Sequence, residues 1–403
     1  MPHTSERKCT PSWIDSYLDY TTNQESPTIF HKWVGLAIVA ATMERHVVLD
    51  MGAYRLFPNL YTVLVSDSAL CKKTTAMDMG YDVLMMLKNK VNVFAQKITP
   101  EALIARLASQ LEKSDSGRII RDCVSLIFAP ELSVFLGTDA YKSGLVSILT
   151  ELFQGRDEWS YETRLHGEEK LQNTLINFFG ASTPRWLKIG IPADQAGGGF
   201  TSRIVFVYSD KPRPPIPFPT IDKAHQAKLA HDLNIIRSLK GKFKWNVDAK
   251  EWYKHWYKSK GFLPISDALS GYQYRKHDLL LKVAMLLSLC RGNKLELTID
   301  CLEDGLVYVN EVEQDATKAI EAIEETQTGT ATTRVYEYIQ KRGDVPRSDL
   351  TRAFSHRLRS VELHEILETL LDADLIDVKE SRNKKATRGK QTQKVYFATD
   401  AVD

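Results

Sequence analysis

A lysine and two threonines directly after a short apolar run form a pattern that can hold phosphate. The run LYTVLV at 60–65 is of strand length and rich in β-formers. A polar stretch at 66–72 follows, and Lys73, Thr74 and Thr75 open an expected helix reaching about Lys88. Strand, loop, Lys-Thr and helix is an order that binds a triphosphate. Backbone amides and the helix N-terminus face the phosphates, the lysine neutralises them, and the hydroxyl holds Mg²⁺. Ser68, Lys72, Lys73, Thr74 and Thr75 are therefore the candidate contacts for ATP, with Thr74 also the candidate metal ligand. Asp67 and Lys72 occupy the places of the motif's two glycines, and the loop has no glycine at all. Glycine normally supplies the left-handed backbone and close approach that phosphate needs. The competing reading is a basic helix start.

Three further groups would complete the chemistry. The apolar run CVSLIF at 123–128 ends in Ala129-Pro130-Glu131, and a carboxylate there can polarise an attacking water. Pro130 replaces the aspartate usual before it, and Asp122 lies too early in the strand. Metal holding would then rest on Thr74 and water. A solvent-exposed glutamate is the alternative for Glu131. The run at 175–179 ends in Gly180-Ala181-Ser182-Thr183-Pro184, where Ser182 or Thr183 could touch a γ-phosphate or the water; a plain strand-to-turn transition explains them too. Finally, Gly197-Gly198-Gly199-Phe200-Thr201-Ser202-Arg203 leads into the strand at 204–208. An arginine fixed at a strand mouth can reach a neighbouring subunit's nucleotide and stabilise transition-state charge. Otherwise it is a surface ion pair of little energetic weight. Lys73, Glu131, Ser182 and Arg203 form the candidate catalytic set.

These residues need a scaffold, and short buried strands alternating with helices predict a parallel α/β sheet. Residues 12–51 read as mostly helical. Thr99 and Pro100 read as a helix cap and first turn. A helix is expected at 143–153, and two strands at 159–165 and 170–179 joined at His166-Gly167. The stretch PRPPIPFP at 212–219 is the clearest boundary, and 221–325 is patterned as helix. TQTGTATT at 326–333 reads as a small-residue linker. Helices at 334–341, 347–354 and 360–373, with strands at 375–378 and 395–398, spell a winged helix. The expected organisation is an N-terminal helical segment (1–56), an α/β P-loop NTPase core (57–211), a helical lid (212–325) and a winged-helix domain (334–400).

A formal net charge of +2 excludes a polycation, so nucleic-acid contact must come from local clusters. The five cysteines lack metal-ligand spacing and read as reduced thiols. The N-terminus has no apolar signal core, and stretches such as 33–42 are too short to span a bilayer. A soluble cytoplasmic protein without a membrane partner is the expectation.

FPNLYTVLV at 57–65, KKTTAM at 72–77, ITPEALIARL at 98–107, APELSVFLG at 129–137, GASTPRWL at 180–187, GGFTSRIVFVY at 198–208 and YRKHDLLLKVAMLLSL at 274–289 occur in this order. Together they resemble a family of phage- and mobile-element-encoded P-loop proteins, often the helicase part of primase-helicase fusions. The likeness covers roughly residues 13–312. It implies an AAA+ or RecA-like ATPase core, a hexameric ring, and Arg275 or Lys282 of the lid as nucleotide contacts. No primase segment is expected before the core, so a polymerising activity is not implied. A primase or polymerase remains a possible partner.

In the similar superfamily-three viral helicases, a hairpin at this place in the order carries basic residues into the ring channel. By that similarity Arg164, His166 and Lys170 would approach DNA phosphates; Glu168 and Glu169 favour a solvated turn. The wing is denser in charge. Lys379, Arg382, Lys384, Lys385, Arg388, Lys390 and Lys394 face only Glu380, which suits phosphate contact without base reading. Arg357 and Arg359 precede the third helix, whose polar face (Glu362, Glu365, Glu368) is acidic. Two functions stay open: an ATP-driven helicase or translocase, and a degenerate ATPase that assembles on DNA as an initiator or loader.

Overall fold

The computed structural model describes residues 6–95, 97–109, 112–113, 119–120, 122–137, 140–141, 143–163, 167–191, 198–259, 267–324, 327–355, 358–382 and 392–399. The chain divides into two compact units, Met1–Glu324 and Glu325–Asp403. The segments expected at 1–56, 57–211 and 212–325 all lie within the first.

Its centre is a mixed α/β core with a five-stranded, all-parallel sheet. The strand order is Ile204–Tyr208, Tyr61–Val65, Leu175–Ser182, Val124–Ala129 and Val93–Phe94. Every residue of Tyr61–Val65, Val124–Ala129 and Leu175–Ser182 is buried, as it must be when helices cover both faces. Alternation of side chains along the strands sorts the aromatics into two layers. Phe179 and Phe128 share one face, where Tyr81 of helix Lys73–Met85 stacks on Phe128 at 4.4 Å. Phe178 and Tyr61 share the other, against Phe135, Phe153 and Phe200.

Helix Thr28–Met43 packs on the sheet and on helix Lys73–Met85. It is apolar on almost every side, so it can only be an interior helix. It ends at Met43, earlier than the expected helical reading to 51. The β-branched pair Val47-Val48 instead starts a strand, Val47–Asp50, parallel to Gly241–Trp245. Arg55–Leu56 and Glu296–Leu297 complete this second, four-stranded sheet. The region expected to be wholly helical after 221 therefore contributes two strands that tie it to the N-terminal segment.

Between the sheet strands, Glu158–Thr163 and Gly167–Gln172 pair as an antiparallel hairpin. The expected second arm, 170–179, is really two elements. The hairpin ends at Gln172, left-handed Asn173 (φ 51°) turns the chain, and the central strand begins at Leu175. Arg45 holds this junction: Nη1 donates to the carbonyls of Gly155, Arg156 and Thr174 at 3.0, 2.9 and 3.1 Å, and Nη2 meets Asp157 at 2.5 Å.

The second unit, described by itself, has helices Gln327–Arg342, Arg347–Phe354 and Ser360–Asp372. Its antiparallel sheet runs Val345–Pro346, Thr392–Ala398, Ile376–Arg382. Val335, Ile339, Leu350, Leu363, Ile366, Leu367 and Ile376 form its core. The stretch expected as a linker at 326–333 is helical from Gln327 on. Among the described residues no helix is long and apolar enough to cross a membrane.

At Gly80, helices Lys73–Met85 and Thr28–Met43 approach closely. A Cβ there would overlap Val34 Cγ1 and stand 2.9 Å from Ile38 Cγ1. Alanine favours helix over glycine by about 1 kcal/mol, but overpacking a tight contact costs about 1–3 kcal/mol. Gly80→Ala is predicted to lower stability in urea unfolding; a gain would disprove the close packing.

Candidate functional site

Strand register decides what meets at each edge of the sheet. Val65 pairs with Ser182 and Tyr208, while Ala129 pairs with Gly180. The four strands thus end at one carboxyl edge, where open parallel sheets bind ligands. The loop after Val65 is tied there: Ser66 N donates to Ser182 O at 3.4 Å, and Ser209 N donates to Val65 O at 3.1 Å.

Lys73 begins the helix Lys73–Met85, which ends slightly before the expected Lys88. Its half-buried ammonium folds back on the loop, donating to Ser66 O at 2.7 Å and Asp67 O at 3.0 Å. Burial lowers its pKa; Cys71, Glu131 and Asp67 oppose the shift. Glu131 therefore sits within electrostatic reach of Lys73. The Glu131 carboxylate is exposed and accepts from Ser133 Oγ at 2.9 Å. Ser182 is 2% exposed at the end of the strand between them. Thr183, the alternative to Ser182, is occupied instead: its hydroxyl caps helix Pro184–Gly190 by accepting from Trp186 N at 3.2 Å.

The structure answers the missing glycines in part. Lys72 adopts φ 49°, ψ 42°, and Ala69 φ 62°, both left-handed. The backbone takes the shape glycine permits without glycine. Lys72 caps the helix with no side-chain bond, so the first amides stay open to an anion. Ser68, Thr74 and Thr75 are exposed around that terminus, while the buried Ser66 hydroxyl has no hydrogen-bond partner. This donor set fits a phosphate chain: open amides, a lysine, and hydroxyls at the helix start.

Sequence reading missed the loop's supports. Ser26 Oγ donates to Lys72 O at 3.1 Å, and Glu25 lies 3.7 Å from Lys72 Nζ. Arg213, in the proline-rich stretch, locks that turn by donating to Thr21 O at 2.6 Å and to Thr28 Oγ1. The prolines gave a boundary signal but nothing in sequence pointed to Lys72.

Arg203 is not brought to this site. It ends the short turn Thr201–Arg203, directly before the strand whose first residue, Ile204, pairs with Tyr61 at the amino edge. The length of Tyr61–Val65, four steps or roughly 13 Å, separates that edge from the Lys73 loop. Arg275, read as a nucleotide contact, also lies away from the Lys73 loop. With Lys282 it lines a cavity beside Arg203, walled by Tyr61, Phe153 and Asp278. Lys282 is buried, donates to Asn59 O and Oδ1 at 2.9 and 2.6 Å, and lies 4.0 Å from the Phe153 ring centroid. Desolvation lowers its pKa to about 7; Asp278 opposes this, and Arg275 and Arg203 add to it.

Of the candidate DNA contacts, Lys170 is exposed on the hairpin, opposite Ser160. Arg164 and His166 lie outside the described residues, as do Lys384, Lys385, Arg388 and Lys390. Arg382 ends a strand, and its side chain is not described. Asp122 accepts from Asn173 Nδ2 at 2.6 Å, at the amino edge, away from Lys73. Arg359 is paired with Glu362 at 2.7 Å, and Lys379 with Asp344 at 2.6 Å. No protein-family model matches the chain, and no curated protein matches it.

Two predictions follow from these geometries. Left-handed backbone costs a non-glycine residue about 1–2 kcal/mol, and β-branched residues suffer most. Lys72→Gly should leave stability unchanged or slightly raised, and Lys72→Val should lower it by about 1–2 kcal/mol in denaturant titrations; equal effects would refute the assigned loop conformation. For Lys282, the unfolded chain binds more protons than the folded one above pH 7. Its burial penalty is thus complete below about pH 7 and relieved as pH rises. Wild type minus Lys282→Met stability should therefore climb between pH 7 and 9, by at most about 1.4 kcal/mol per unit. A flat difference would show that Lys282 is not desolvated.

Proposed function

We propose that this chain is an ATP-dependent DNA helicase or translocase, acting in replication of a phage or mobile element as a ring oligomer, a hexamer by resemblance. One observation carries the reading: the loop and helix start at Lys73, the Glu131 carboxylate and buried Ser182 share the carboxyl edge of a parallel sheet. Lys73 and the open amides would hold the β- and γ-phosphates. Thr74 would hold Mg²⁺, which when bound neutralises charge on the phosphates. Glu131 would orient and deprotonate water, and Ser182 would steady it.

Arg203, at the other edge, would serve a neighbouring subunit's nucleotide, the geometry that makes a ring a single machine. Among the described DNA candidates, Lys170 projects from the hairpin at that same amino edge. The C-terminal unit's three helices and small antiparallel sheet support a winged-helix reading, with the basic segment after Arg382 between its strands. DNA is the proposed substrate track, and a primase or polymerase the partner class.

A second reading has its own support. The glycine-free loop and Pro130 in place of an aspartate favour a nucleotide-binding initiator or loader with little turnover.

ATP hydrolysis with and without single-stranded DNA separates the two. A motor should show DNA-stimulated turnover that falls about 100-fold or more in Lys73→Ala and Glu131→Gln. Arg203→Ala should lose a comparable or larger factor while still binding nucleotide. Mixing Arg203→Ala with Lys73→Ala subunits should restore part of the activity, because only a mixed interface has both groups. Nucleotide binding without turnover in the wild type would leave the loader reading; absence of both would sink the nucleotide site.

A further inference from the structure

The cavity at the amino edge carries an imbalance of charge. Among the described residues, Arg203, Arg275 and Lys282 line it, against a single lining carboxylate, Asp278. Asp278 is itself engaged, accepting from Tyr54 Oη at 3.1 Å and lying 3.4 Å from His277 Nε2. Among the described residues, Lys282 donates to the neutral oxygens of Asn59. Arg203 gives one guanidinium nitrogen to the Gly199 carbonyl, while its buried Nε has no hydrogen-bond partner. Burial and then the neighbouring Arg275 depress the Arg203 pKa to about 10. Aromatic rings wall the cavity: the Phe153 ring lies under both Arg203 and Lys282, at 5.8 and 4.0 Å, and Tyr61 lines one side. Three cations, the buried Lys282 and the half-buried Arg203 and Arg275, converge on one engaged carboxylate, and partly desolvated charge in such excess is costly. An oxyanion would satisfy the unpaired donors, and guanidinium forks match tetrahedral oxyanions in geometry.

We infer that this cavity is a second anion site, separate from the Lys73 loop, that seats a phosphate-type oxyanion between Arg203, Arg275 and Lys282. The inference does not depend on ATP turnover at Lys73. The oxyanion has two possible sources with the same chemistry: free phosphate, or the terminal phosphate of a nucleotide held by another copy of the chain.

Inorganic phosphate is the probe, titrated against thermal unfolding at pH 7 with chloride at matched ionic strength. Wild type and Lys73→Ala should both show a saturable rise of roughly 2–4 °C. Arg275→Gln, at a half-exposed position where folding should survive, should lose most of the rise, and Lys282→Met should weaken it. Repeating the titration where the chain sediments as a monomer separates the sources. A rise kept in the monomer assigns a free anion. A rise found only in assembled protein, and replaced by added ATP, assigns the neighbour's nucleotide. No rise beyond chloride would overturn the inference. A rise abolished by Lys73→Ala but kept in Arg275→Gln would place the phosphate at the Lys73 loop and overturn it equally, without touching the nucleotide reading.

Discussion

Five register pairs hold Leu175–Ser182 against Tyr61–Val65, from Phe178 beside Tyr61 to Ser182 beside Val65. Slipping one residue would turn every side chain of the strand to the opposite face. Phe178 would leave Phe135 and Phe200, and Phe179 would leave Phe128. The two aromatic layers therefore lock the register, and the register levels the strand ends. Asn177 adds a polar pin: its Oδ1 accepts from Leu60 N at 3.0 Å at the entry to the neighbouring strand. The placement of Ser182 between the Lys73 loop and Glu131 follows from this packing, and the bond from Ser66 N to Ser182 O adds to it.

The same parallel sheet has two unlike edges. At the carboxyl edge, open amides and exposed hydroxyls stand in water near one lysine. At the amino edge, buried Lys282 and half-buried Arg203 and Arg275 stand against Phe153 and Tyr61. Water screens the first set more than the second, where Lys282 is buried, so charge matters more per group at the amino edge. The hairpin base is fastened at that edge too, through the Arg45 bonds around Leu175. Arg203, the hairpin and the long helix Asp267–Arg291 are thus mechanically closer to one another than any of them is to Lys73.

The parallel strands were legible because full burial writes continuous apolar runs, as at 61–65 and 124–129. The helix starts at Thr99 and Lys73 were legible from caps and charge. Other features were hidden for identifiable reasons. The pairing of Val47–Asp50 with Gly241–Trp245 joins residues far apart in the chain, and no local pattern encodes such a partner. The hairpin end was misplaced because Asn173-Thr174 is a weak turn signal between two β-forming runs. Arg203 was read as reaching a neighbouring subunit's nucleotide and Arg275 as a nucleotide contact; strand register places Arg203 at the amino edge, and only the folded cavity puts Arg275 beside it. Thr183 looked equivalent to Ser182 until Pro184 started a helix and drew its hydroxyl into a cap.

The glycine-free loop shows how a sequence departure can be absorbed. Left-handed Lys72 stores strain, but its carbonyl accepts from both Ser26 Oγ and Ala76 N, and its ammonium faces Glu25. Contacts from outside the loop thus impose a conformation that glycine would adopt unaided. The substitution also changes the charge at the helix start, where Lys72 and Lys73 now stand together beside Asp67. Under the nucleotide reading, the added lysine offsets the repulsion of Asp67 toward phosphate, a compensation that glycine could not provide. The turn at Glu25-Ser26 and its lock, Arg213, then become part of the binding loop's mechanics although they lie far from it in sequence. Loosening that turn would release Lys72 from its left-handed state, so the loop's shape is a property of the whole N-terminal packing and not of residues 66–72 alone.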